Sequence, residues 1–260
     1  MSVRPTRSIE IETTVDASPD EVWEALTTGE GLKSWFPLDA TVEPHVGGTV
    51  WLSWGPGSEG SAPIHVFEPG ARFGWTEHYG DDDEGRPIKV AVDFHIEGRG
   101  GSTVVRLVQS GLSADADWDG MYDALTDGWS YFMFNLEHWL RHHPGRARSM
   151  AWARVPSTGD RSKTWSRLAD VGLVTSASAG DTTAIQLDEE RTAKVVSTRP
   201  GHHFAAVVPE LDNGVIFVEL EGKNVGCWLS TYSLDAEAVA ALQSALDMKV
   251  EAALGDQPGG

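Results

Sequence analysis

The chain has 260 residues, 40% of them hydrophobic, a length and composition that allow one or two ordinary domains with packed cores. Its formal net charge of −19 argues against nucleic acid and against anionic membrane surfaces as partners, because both are recognised through clustered Lys and Arg. One cysteine, Cys227, rules out an intrachain disulfide and a cysteine-based metal cluster.

The charge is uneven. Residues 1–145 carry 24 acidic and 9 basic side chains, while 146–260 carry 15 and 11. Colloidal solubility is the ordinary reading of such a surplus, and steering of a cationic partner is the functional one. No apolar run approaches the roughly 20 residues that span a bilayer. The first eight residues are polar and lack the apolar centre of a signal peptide, so a reduced cytoplasm is the expected location.

In chain order, residues 9–15 alternate as a strand with Ile9, Ile11 and Thr13 on one face. Asp16 or Ser18 caps the following helix, Pro19 suits its first position, and Asp20 and Glu21 complement its dipole. Val22, Trp23 and Leu26 form its apolar stripe, and Gly29 and Gly31 are expected to end it. A Trp35-Phe36-Pro37 cluster and Gly47-Gly48 precede strands over 49–54, 64–68, 72–79, 89–97 and 103–109. The acidic run 81–85 reads as a solvated hairpin tip, Gly98-Arg99-Gly100-Gly101 as a hairpin turn, and Ser110-Gly111 as another turn. Asp115, Asp117 and Asp119 have the spacing of calcium ligands, but Thr126 stands where the loop requires Glu, so capping or solvation is the better reading. A helix over 121–142 places Leu125, Trp129, Phe132, Leu136 and Leu140 on one face, and Pro144-Gly145 closes it.

The second half repeats this order: a strand over 150–155, a turn and cap at 157–160, and a helix over 163–168. Trp165 and Leu168 repeat the spacing of Trp23 and Leu26. Strands follow over 183–187, 193–198, 204–208, 214–220 and 227–232. A last helix over 235–254 carries Val239, Leu242, Leu246 and Val250 as one stripe.

Pro19, Val22, Trp23, Leu26, Trp35, Gly47, Gly48, Thr103, Ser110, Gly111, Gly128 and Trp129 together carry a resemblance. The chain resembles the helix-grip (START/Bet v 1-like) proteins of the SRPBCC superfamily, in the branch related to the C-terminal domain of activators of the Hsp90 ATPase. The resemblance implies an α+β fold, a curved antiparallel β-sheet wrapped around a long C-terminal helix, here in tandem as domains 1–145 and 146–260. It also implies a cavity between sheet and helix. At two places the chain departs from its relatives: Glu77 replaces a frequent aromatic, and Gln109 replaces a frequent His. Counting by two places Glu77 with Phe73 and Trp75, and Gln109 with Val105 and Leu107, on the concave face. A carboxylate and an amide are costly there unless paired or used.

The expected site is therefore Trp54, Phe73, Trp75, Glu77, Val105, Leu107, Gln109, Trp129 and Phe132. Rings would stack on a small hydrophobic or aromatic molecule, and Glu77 and Gln109 would orient it. Two other functions are open: a co-chaperone or protein-interaction module with a chaperone or other protein as partner, and a cyclase- or hydrolase-like enzyme with Glu77 as acid or base. No nucleophile elbow, phosphate loop or dinucleotide glycine pattern is present, and no cofactor is expected. His65, His78, His95 and Asp93 lack metal-ligand spacing, and Cys227 reads as a small buried hydrophobe.

Overall fold

The computed structural model describes residues 5–82, 84–157 and 160–255, and the chain divides into two compact units between Ala147 and Arg148. Asp83 of the acidic tip and residues 158–159 of the second turn lie outside the described residues.

In the first unit, β1 (Thr6–Val15) turns Ile9 and Val15 fully inward and leaves its glutamates exposed. Helix α1 (Pro19–Thr27) starts in a reciprocal capping box. Glu21 N donates to Ser18 Oγ at 3.3 Å and Ser18 N donates to Glu21 Oε2 at 2.8 Å, so two helix-end N–H groups are satisfied. Gly29 and Gly31 do not end the local helical structure as expected. Thr28 both closes α1 and caps a second short helix, α2 (Gly29–Lys33), its hydroxyl accepting from Gly31 N at 2.9 Å. Glycine at position 31 serves close approach, since a Cβ there would lie 2.3 Å from Glu24 O.

The sheet then runs through β2 (Asp39–Val42), β3 (Thr49–Ser53), β4 (Glu59–Glu68), β5 (Arg72–Asp81), β6 (Pro87–Arg99) and β7 (Ser102–Ser113). The sequence reading omits β2 and gives β4, β6 and β7 too short. All strands pair antiparallel in the order β1-β7-β6-β5-β4-β3-β2, so the first strand closes on the last. Ser110-Gly111 is no turn: β7 continues to Ser113. Ser8 faces Ser110 and Arg7 faces Leu112, leaving Gly111 as the extra residue of a bulge at φ +91°. The bulge re-phases the strand, so that Gln109 and Leu112 both point inward and both are buried.

Helix α3 (Asp119–His142) packs on this sheet. From Trp129 onward it buries Met133, Leu136, Trp139 and Leu140, whereas Met121 and Ala124 in its first half are exposed and Leu125 is half-buried. The interior is aromatic, with Trp35, Phe73, Trp75 and Phe94 fully enclosed. Trp35 Nε1 donates to Ala25 O at 3.0 Å, which ties the Trp-Phe-Pro segment to α1.

The second unit comprises β8 (Ser149–Pro156), α4 (Arg161–Asp170), β9 (Thr182–Gln186), β10 (Glu190–Arg199), β11 (His203–Val208), β12 (Gly214–Glu221), β13 (Asn224–Thr231) and α5 (Ala236–Leu254). Its order, β8-β13-β12-β11-β10-β9, is the first unit's order with one strand fewer. Leu168 of α4 is buried with Trp165 packed at the core margin, as Leu26 and Trp23 are in α1. Leu242, Leu246 and Val250 of α5 enter the same core, with Val239 half-buried. Asp160 and Asp235 cap the two helices. The chain is thus α+β, with two antiparallel sheets each carrying a long terminal helix.

Candidate functional site

Strand β5 presents Phe73, Trp75, Glu77 and Tyr79 to one face at the period of two. Trp75 lies opposite Val92 on β6, Val92 opposite Gln109 on β7, and Gln109 opposite Ile9 on β1. Trp75 and Gln109 therefore occupy one row of the concave face, and Glu77 the next.

Two hydrogen-bonded pairs lie at this face, Trp75 with Glu77 and Gln109 with Trp129 of α3, and Tyr79 neighbours both. Trp75 Nε1 donates to Glu77 Oε1 at 2.9 Å, and Trp129 Nε1 donates to Gln109 Oε1 at 3.0 Å. The Tyr79 hydroxyl lies near both Glu77 and Gln109. Gln109, 1% exposed, accepts from Trp129 through its amide oxygen. Beside these pairs Phe36 stacks on Trp129 with centroids 5.0 Å apart and meets Phe132 and Trp54 edge-on at 4.7 and 5.3 Å. Trp129 joins the aromatic cluster to Gln109.

The structure brings the expected residues together but grades their access. Phe73, Trp75, Val105 and Leu107 are fully enclosed, Gln109 and Trp129 form a floor, and Trp54, Glu77 and Phe132 are half-buried. Sequence reasoning missed Tyr79, although it lies two residues beyond Glu77 on the same strand. It also missed Phe36, whose only signal was the aromatic pair it forms with Trp35. Gly128 has no steric reason to be glycine here: a Cβ would meet only Phe132 Cε2, at 4.0 Å.

Burial raises the Glu77 carboxyl above the ordinary carboxylate value, against the opposing pull of the Trp75 and Tyr79 donors. Burial, with the Glu77 carboxylate beside it, also raises the Tyr79 phenol. Among the described residues no Lys, Arg or His pairs with Glu77. A raised acid binds its proton more tightly in the folded state, so its contribution to stability is complete at low pH and is lost as pH rises through the raised value. Glu77→Gln is accordingly expected to gain stability relative to the parent as pH climbs from about 4.5, and to show no relative change below it. Urea denaturation of both proteins at matched pH checks this, and the opposite slope refutes it.

The other sequence candidates lie elsewhere. His65 Nε2 meets Asp93 Oδ1 at 3.1 Å, and its Nδ1 meets Thr76 Oγ1 at 3.0 Å. These groups sit on the outer face, opposite the enclosed Val92 and Phe94. His78 pairs with Asp81 at 3.2 Å. Gly100 and Gly101 turn the β6–β7 hairpin at φ +58° and +104°. An open recess of about 420 Å³ beside that turn involves none of these paired residues, and Asp16 and Glu21 on its wall disfavour an anion. Burial pushes the Cys227 thiol up to about 12, the signature of an inert core thiol. Among the described residues no helix is long and apolar enough to cross a membrane.

Comparison with known proteins follows this geometry. The family described as "Activator of Hsp90 ATPase homolog 1-like protein" matches residues 16–141. No curated protein matches the chain. Among solved structures, a protein from Mesorhizobium loti is 23% identical over 53% of this chain and 98% of its own, with a TM-score of 0.46. The Aha1 dimer protein from Colwellia psychrerythraea is 25% identical over 52% of this chain and 96% of its own, at 0.44. DynU16, a protein in the dynemicin biosynthetic locus, is 18% identical over 95% of this chain and 96% of its own, at 0.45. Residues 16–141, the body of the first unit, thus match the Activator of Hsp90 ATPase homolog 1-like family, and the strand order and terminal helix described above agree with that match.

Proposed function

We propose that the protein is a non-catalytic binder of a small hydrophobic or aromatic molecule, held by the first domain (1–145) between its sheet and the first half of α3. The SRPBCC fold is typically a ligand-binding fold. The observation that carries the reading is the group of polar side chains Glu77, Tyr79 and Gln109 set into an otherwise aromatic interior, with half-buried Trp54 and Phe132 packed near Trp129 through Phe36. Such a face combines apolar area with a few placed polar groups, as ligand sites do. Trp54, Glu77, Tyr79 and Phe132 would touch the ligand, with Gln109 and Trp129 beneath. A second reading, a protein-interaction module of the Hsp90-activator kind, is favoured by the family match over 16–141.

Native mass spectrometry of the full chain, purified gently from its own host, tests the proposal. A small molecule that leaves only on denaturation is the expected result, and re-adding it should raise the melting temperature. A chain that flies at its bare mass and co-purifies instead with a chaperone would replace the binder with the second reading.

A further inference from the structure

We infer that the ligand of the Glu77 site carries a protonated amine or comparable organic cation attached to an aromatic or apolar body. The inference rests on the binding role proposed above and narrows its chemistry. It follows from counting what these polar side chains have left to offer. Trp75 Nε1 is spent on Glu77 and Trp129 Nε1 on Gln109, and the Tyr79 hydroxyl lies near Glu77. Gln109 accepts from Trp129 and is sealed from solvent, so its amide offers nothing to a ligand.

The Glu77 carboxylate can accept about four hydrogen bonds, of which Trp75 supplies one. The half-buried Glu77 carboxylate therefore keeps most of its acceptor capacity, and a donating ligand would fill it. No Lys, Arg or His among the described residues neutralises the carboxylate, so a cation gains more there than a neutral donor, and an anion is repelled. Tyr79 stands beside Glu77, and beyond it Trp129 reaches Gln109 with Phe132 packed against it; aromatic faces of this kind attract cations. The acidic surplus of residues 1–145, 24 against 9, draws the same charge from solution.

Three probes of one shape decide the matter: 2-naphthylmethylammonium, neutral 2-naphthylmethanol and anionic 2-naphthylacetate, each titrated calorimetrically into the full chain. The ammonium should bind at least about tenfold more tightly than the alcohol, the scale of a charge-assisted hydrogen bond. The acetate should bind weakest. Glu77→Gln, which keeps an acceptor for Trp75, should bring the ammonium down to the alcohol's affinity and leave the alcohol unchanged. Phe132→Leu should weaken the ammonium more than the alcohol through loss of a ring face. Equal binding of ammonium and alcohol, or a preference that survives Glu77→Gln, overturns the charge assignment and leaves the binder intact. Failure of all three probes to bind overturns both.

Discussion

Trp129→Ala is expected to destabilise the first unit by about 3–5 kcal/mol, the range for truncating an enclosed Trp. The side chain is 5% exposed and lies against Phe36, Phe94 and Phe132, so its removal opens a void that rigid rings cannot refill. The loss does not end with volume. Trp129 Nε1 is the donor that satisfies Gln109 Oε1, and an orphaned buried amide oxygen costs about 1–3 kcal/mol more. Trp129→Phe separates the two contributions, because it keeps the ring against Phe36 and deletes only the donor. Urea denaturation of the full chain, with hydrogen exchange assigning the transition to β5–β7, gives both values. A Trp129→Ala loss under about 1 kcal/mol would mean that the cluster collapses around the gap, contrary to the packing described.

Gly111→Ala should cost about 3 kcal/mol, by strain at a left-handed position together with a backbone collision. At φ +91° a Cβ would lie 2.4 Å from Lys89 O on the neighbouring strand, and that carbonyl belongs to the sheet and has nowhere to move. Gly100→Ala is the control. Its φ is +58°, no atom stands within 4 Å of the added carbon, and about 1 kcal/mol is expected from conformation alone. The gap between the two losses measures the collision. Equal losses at the two positions would mean that the sheet yields at the bulge. The bulge also places Leu112 inward beyond Gln109, so its loss should disturb the hydrogen bond of Gln109 to Trp129 as well.

What the sequence made legible was whatever local periodicity or capping chemistry encodes. The Ser18/Glu21 box, the stripe on α3 and the shared face of Phe73, Trp75 and Glu77 all follow from spacings of two or three to four residues. The paired order of the two units was readable for the same reason, down to Trp165 and Leu168. What escaped it depends on partners far along the chain. Ser110-Gly111 looks like a turn, and only the pairing with Arg7 and Ser8 makes it a bulge. The first half of β4, with Gly60 and Pro63, has no strand signature of its own and is extended because β3 lies beside it. Tyr79 was in register to be found, but its nearness to Gln109 exists only once β6 and β7 have folded back beside β5. Depth was also invisible: period places Val105, Leu107 and Trp54 at one site without saying that the first two are sealed and the third is not.

The closing pair of each sheet has a consequence for how the chain acquires its structure. Strands β3 to β7 can form in sequence, each folding back on its predecessor as it leaves the ribosome. β1 cannot join them, because its partner β7 arrives about a hundred residues later, Val15 meeting Thr103 and Thr6 meeting Ser113. Long-range pairing of this kind makes folding slow, so the earliest segment of the first unit docks only after β7 has been made. β8 waits for β13 in the same way. Until then β1 and β7 each expose an open hydrogen-bonding edge, and that interval is when a neighbouring nascent chain competes for them.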